Sequence, residues 1–115
     1  MDILSKSIKN KVVIVTGGTR GIGFATVKKF LDHGAKVALC GSRKETVDKA
    51  LEELNHINPN YDAIGFYPNL LDSNEVKEMV DKVLEKWGTI DILINNAGVS
   101  DNKSIYTQSD EDFSR

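Results

Sequence analysis

The sequence predicts an α/β fold in which a doubly wound parallel sheet carries helices on its faces. Three observations lead there. Four short apolar runs recur: Val12-Val13-Ile14-Val15, Val37-Ala38-Leu39-Cys40, Ala63-Ile64-Gly65-Phe66-Tyr67 and Ile90-Asp91-Ile92-Leu93-Ile94-Asn95. The stretches between them repeat apolar residues at helical spacing. The first run leads directly into a glycine turn, Thr16-Gly17-Gly18-Thr19-Arg20-Gly21-Ile22-Gly23, that opens a helical pattern.

Each element has a local reason. The first strand, about Lys11 to Thr16, is apolar without alternation, as suits a parallel strand covered on both sides. The helix from about Gly21 to His33 places Phe24, Val27, Phe30 and Leu31 on one face and stops at Gly34. A second helix begins near Ser42, with Glu45 three residues on in a capping-box pattern. Its stripe is Val47, Ala50, Leu51, Leu54 and Ile57, followed by the turn Asn58-Pro59-Asn60. Pro68 closes the third strand, a position tolerated most easily on a sheet edge.

Asp72 with Glu75 opens a third helix, whose stripe runs Val76, Met79, Val80, Val83, Leu84 and Trp87 before Gly88 ends it. A polar loop follows the fourth strand, and Ser109 with Asp110, Glu111 and Asp112 suits the start of a further helix. Right-handed crossovers then order the strands 3-2-1-4, half of a doubly wound sheet. Strand four is expected to be a bare edge, the mark of a fragment or of a module that needs another chain.

Composition narrows the function classes. The 115 residues suffice for one modest core. A net charge of −2 offers no basic field for nucleic acid, and no apolar stretch approaches a membrane span. The first residues lack a signal-peptide core, and the single cysteine, Cys40, allows no internal disulfide, so a cytoplasmic location is expected. Two distant histidines, His33 and His56, make no metal site, and each suits a helix C-terminus instead.

Ligands of open parallel sheets bind beyond the carboxyl ends of the strands. Every unusual cluster falls at such an end: the glycine turn, Gly41-Ser42-Arg43, Asn69-Leu70 and Asn95-Asn96-Ala97-Gly98. The turn needs glycine for close backbone approach and for a positive φ, and its helix N-terminus suits a pyrophosphate. A P-loop is excluded by the missing Gly-Lys-Ser/Thr.

The pair T-G-x-x-x-G-x-G at Thr16 to Gly23 and N-N-A-G at Asn95 to Gly98 resembles the short-chain dehydrogenase/reductase family, and the match spans the whole chain. The resemblance implies a Rossmann-type fold and a nicotinamide cofactor. Gly17, Gly21 and Gly23 would then face the pyrophosphate and ribose, with the Ile22 backbone close by. Asn95, Ala97 and Gly98 would lie against the adenosine ribose, and Thr16 would tie strand one to the loop after strand four. Asn69-Leu70 stands where the family has Asp and a small apolar residue. Asn69 keeps an acceptor oxygen for the adenine amino group, or serves only as a turn residue. Asn95 caps its strand end in either case.

An NAD site wants a carboxylate at the end of strand two, and none lies between Lys36 and Lys44. The rim instead shows Gly41, Ser42, Arg43 and Lys44, with Arg20 in the glycine turn, which suits a 2′-phosphate, so NADP is expected over NAD. Thr19 in the same turn is counted among the cofactor-binding residues. The competing reading has Ser42 capping its helix and Arg43 pointing at water.

The family's acid/base pair is Tyr-x-x-x-Lys. Four residues after Tyr61, Tyr67 and Tyr106 stand Gly65, Leu71 and Asp110, so the pair is absent here and no catalytic residue is assigned. Residues 1–115 are read as a partial NAD(P)-binding domain that stops at the start of the helix after strand four. The expected function is hydride transfer between NADP(H) and a carbonyl or secondary alcohol, with homo-oligomers implied by the resemblance. The alternative is a non-catalytic NAD(P)-binding sensor or interaction module.

Overall fold

The computed structural model describes residues 8–96 and the backbone of 104–107. The elements in order are β1 (Val12–Thr16), α1 (Gly21–Asp32), β2 (Lys36–Cys40), α2 (Lys44–Ile57), β3 (Ala63–Phe66), α3 (Ser73–Trp87), β4 (Ile92–Asn95) and β5 (Ser104–Thr107). The sheet order is β3-β2-β1-β4-β5. The first four strands are parallel in the expected 3-2-1-4 arrangement, with Val13 opposite Val37 on one side and Ile92 on the other.

Side chains of β1 alternate between two apolar layers. Val13 and Val15 join Val37 and Leu39 against Val27 and Leu31 of α1 and Val47, Ala50 and Leu54 of α2. Val12 and Ile14 join Ala38 and Cys40 against Met79 and Val83 of α3. Both sides of the strand are therefore dry, which explains an apolar run with no polar alternation. Ile57 and Leu84, at the flank or end of their stripes, are 46% and 39% exposed and lie outside the two layers.

The helix boundaries follow the signals in part. Asp72 caps α3, accepting from the amides of Asn74 and Glu75, and Gly88 ends it in the left-handed region at φ 82°. The capping box at Ser42 does not form. The N-cap of α2 is Arg43, and no side chain caps it.

The expectation of a bare edge at β4 is also corrected. β5 pairs with β4 antiparallel, Asn95 opposite Ser104 and Ile92 opposite Thr107. Only positions 96–103 separate the two strands, too few for the crossover a parallel neighbour needs. Ile105, Tyr106 and Thr107 are β-branched or aromatic, the residue types that fit a pleated strand. The helix start expected at Ser109 lies outside the described residues.

Candidate functional site

The parallel strands all end on one rim. α1 and α2 pack on one side of the sheet and α3 on the other, so the connections diverge between β1 and β4. That divergence opens a crevice at the strand ends, the general ligand position of such sheets. Here it is a cleft of about 810 Å³, within the range of small-molecule and cofactor sites.

Each strand end contributes a wall. The β1–α1 turn brings Gly17, Thr19 and Arg20. The end of β2 brings Cys40, Gly41 and Ser42. The β3–α3 connection brings Tyr67, Pro68, Asn69, Leu70, Leu71 and Glu75, and the end of β4 brings Asn96. The structure thus gathers Gly17, Thr19, Arg20, Ser42, Asn69 and Leu70 from the sequence-based set into one place.

The remaining candidates fall elsewhere. Gly21 begins α1 at φ 62°, open to solvent. Ile22 beside it is exposed. The amides of Gly21, Ile22 and Gly23 belong to the first helical turn, where no intrahelical acceptor exists. Gly23 itself is buried beneath the turn: a Cβ there would stand 1.7 Å from the Gly17 carbonyl oxygen. Its glycine identity is what lets α1 meet the turn. Arg43 has an extended backbone at the start of α2 and is not among the residues lining the cleft. Ala97 and Gly98 lie outside the described residues.

A threonine hydroxyl fastens the central strands. Thr16 Oγ1 donates to Asn95 Oδ1 at 2.7 Å and accepts from the Asn96 N–H at 3.0 Å. Asn95 is therefore engaged below the rim, while Asn96 reaches the cleft. Both side-chain polar atoms of Asn96 are buried and have no hydrogen-bond partner among the described residues. Buried polar groups are nearly always paired, so this amide marks a place where a ligand can supply the partner.

Several lining residues carried little sequence signal. Asn96 was legible only as part of its tetrapeptide, and Glu75 only as a helix-start acid. Gly41, by contrast, stands in the Gly41-Ser42-Arg43 cluster, and a Cβ there would lie 2.6 Å from Thr19 Cγ2 and 2.8 Å from Val47 Cγ2. Cys40 is 1% exposed and contacts Met79 Sδ at 3.2 Å. Burial pushes its thiol up to about 12, which leaves it protonated and inert at neutral pH.

Within the cleft, Glu75 Oε1 accepts from the Asn69 N–H at 2.8 Å, while three further contacts of ionisable groups lie away from it. Asp91 Oδ2 accepts from the Val12 N–H at 2.9 Å at the opposite end of the sheet. Tyr61 donates to Asp32, joining the segment before β3 to the end of α1. His33 at the end of α1 contacts the Lys29 carbonyl through Nδ1 at 2.9 Å. Among the described residues no group of three or more His, Cys, Asp or Glu could hold a metal, and no helix is long and apolar enough to cross a membrane.

The family model for short chain dehydrogenases matches residues 11–115. The chain belongs to the short-chain dehydrogenase family. It is 54% identical over 108 residues to a 3alpha-hydroxysteroid dehydrogenase of Mediterraneibacter gnavus, covering 94% of this chain and 43% of that protein. It is 34% identical over 106 residues to a 3-oxoacyl-acyl-carrier-protein reductase of Thermotoga maritima, covering 92% and 42%.

Among solved structures, a citronellol catabolism dehydrogenase of Pseudomonas aeruginosa superposes with a TM-score of 0.72 at 32% identity, over 81% of this chain and 38% of that one. A variant actinorhodin polyketide ketoreductase solved with NADPH gives 0.72 at 31%, over 78% and 34%. The chain thus spans less than half the length of these relatives.

Proposed function

We propose that these residues form the cofactor-binding part of an oxidoreductase that moves a hydride between NADP(H) and a ketone or secondary alcohol. The observation that carries this reading is the convergence of four strand-end clusters on one cleft, with Arg20 and Ser42 on its wall and no carboxylate after β2. The hydroxysteroid and 3-oxoacyl names of two relatives each describe an alcohol–ketone pair, which agrees with that chemistry.

The residues fit a pyridine dinucleotide. The positive end of α1 and the turn at Gly17 suit a pyrophosphate. Gly23 lets α1 close up beneath the turn, and Gly41 leaves room for Thr19 and Val47 beside the cleft. The unpartnered Asn96 amide suits a ribose or carboxamide group. Ser42 makes no helix cap, so its hydroxyl is available beside Arg20 for a 2′-phosphate. When bound, the nicotinamide supplies the hydride and the chain supplies position and charge.

Tyr-x-x-x-Lys does not occur in these 115 residues, so binding without turnover is expected of them alone. Calorimetric titration with NADPH and NADH tests the reading. We expect NADPH to bind on the order of a hundredfold tighter, from two charge-assisted hydrogen bonds. Absence of binding by both cofactors would overturn it, and equal affinities would remove the NADP assignment.

A further inference from the structure

α1 carries a second face besides the one it lays on the sheet. Gly23, Val27 and Leu31 are its buried positions. Ile22, Ala25, Thr26, Lys29 and Phe30 repeat at the same helical spacing on another flank, and with Ile8 they line a groove of about 400 Å³. Ile22, at the end of the groove nearest the rim, is 64% exposed. Thr26 Oγ1 donates to the Ile22 carbonyl at 2.8 Å, so its hydroxyl asks for no partner in the groove. The Lys29 stem adds apolar length.

Ile8 closes the other end and is buried. Its carbonyl accepts from the Lys11 N–H at 2.9 Å, and the Asn10 N–H donates to the Gly34 carbonyl at 2.9 Å. This is a reverse turn, with Asn10 in the left-handed region at φ 66°, pinned to the tail of α1. The two arms of a reverse turn leave on the same side. β1 leaves toward the rim. The chain ahead of Ile8 therefore comes from the rim side as well, along the line from Phe30 to Ile22.

The residues ahead of Ile8 lie outside the described residues and read Met1-Asp2-Ile3-Leu4-Ser5-Lys6-Ser7. The line from Phe30 to Ile22 is about 12 Å of helix. Leu4 lies four steps from Ile8, about 6 Å if helical and about 13 Å if extended. In either form Ile3 and Leu4 fall over the groove, and the spacer Ser5-Lys6-Ser7 is polar. The charges agree. Asp2 comes toward the positive end of α1, whose first turn has no acid of its own, and Lys6 stays nearer the negative end.

We infer that residues 1–7 seat in this groove, Ile3 and Leu4 covering Ile22 and Ala25, and so strap the outer flank of α1. The inference stands on the groove and the turn, and not on the dinucleotide reading.

The test is disulfide trapping in the 115-residue chain. Leu4→Cys with Ile22→Cys, treated with diamide, should close within one chain, because seated side chains meet the short Cα separation that a disulfide needs. Leu4→Cys with Ile57→Cys, which puts the second thiol on an exposed position of α2, should stay reduced. Cys40 is buried and does not compete. Disulfide-linked dimers would make a second copy the occupant and overturn the inference. So would no closure, or equal closure with both partners. Leu4→Asp alters no described contact and gives a reading independent of cysteine. It should lower the urea midpoint by about 0.5 M at unchanged slope. An unchanged midpoint overturns the inference too.

Discussion

Gly23 sits directly beneath the carbonyl of Gly17, so close that a methyl group would lie 1.7 Å from that oxygen. Backbone cannot yield as a flexible side chain would, so Gly23→Ala must push α1 off the turn. We expect a loss of about 3 kcal/mol, the upper part of the range for overpacking. A lowered urea midpoint with unchanged slope reads the loss, and NADPH binding should disappear with it. A stable Gly23→Ala protein that binds normally would contradict this geometry.

Thr16 joins β1 to the end of β4 through a single hydroxyl. Thr16→Val keeps the shape and leaves Asn95 Oδ1 without its donor. Stability should drop by about 1–3 kcal/mol, the cost of leaving buried polar groups unpaired. Thr16→Ser should recover most of it. Amide exchange at Asn96 should quicken in the valine variant and stay slow in the serine variant.

Arg20 and Ser42 line the cleft, and Arg43 stands just outside it at the start of α2. Arg20→Ala is therefore expected to weaken NADPH by about tenfold while leaving NADH nearly unchanged. Arg43→Ala should discriminate in the same direction if its side chain swings to the 2′-phosphate. Fluorescence titration of each variant with both cofactors gives the ratio, and equal losses for NADPH and NADH would remove these residues from the phosphate site.

Tyr61 and Asp32 form a pH-dependent fastening. The hydrogen bond to Asp32 raises the Tyr61 phenol to about 12. The same bond lowers the Asp32 carboxyl below 3.8. A raised tyrosine pKa favours the folded state below the ordinary value near 10, and that contribution is lost as pH rises to 12. A depressed aspartate contributes above its ordinary value and loses that as pH falls through the folded one. Asp32 is exposed and Tyr61 only half-buried, so solvent screening keeps the effect below about 1 kcal/mol. Urea midpoints of wild type and Tyr61→Phe should differ at pH 7 and converge near pH 12.

The parallel sheet was legible because its signals are local and mutually consistent. Apolar runs, helical stripes and the Asp72 cap each point to the same topology. Ser42 shows the limit: Ser followed by Glu45 satisfies a pattern, yet tertiary packing moved the N-cap to Arg43. β5 was missed because Ser104-Ile105-Tyr106-Thr107 is too short for periodicity to separate it from a polar loop.

The rim clusters were legible as motifs, since glycine and asparagine at strand ends carry backbone chemistry. Glu75 was not, because its reach back to Asn69 depends on how the loop folds between them. A side chain names its donors and acceptors, and only the loop decides which are already taken.

The floor of the molecule is bolted independently of its mouth. Asp91 holds the start of β1, and Tyr61 holds the tail of α1, a full strand length from Gly17 and Asn69. Substitutions of exposed cleft side chains such as Arg20, which leave the glycine turn and the Thr16 hydroxyl intact, can thus be interpreted as changes in grip, because the underside stays clamped while they are made.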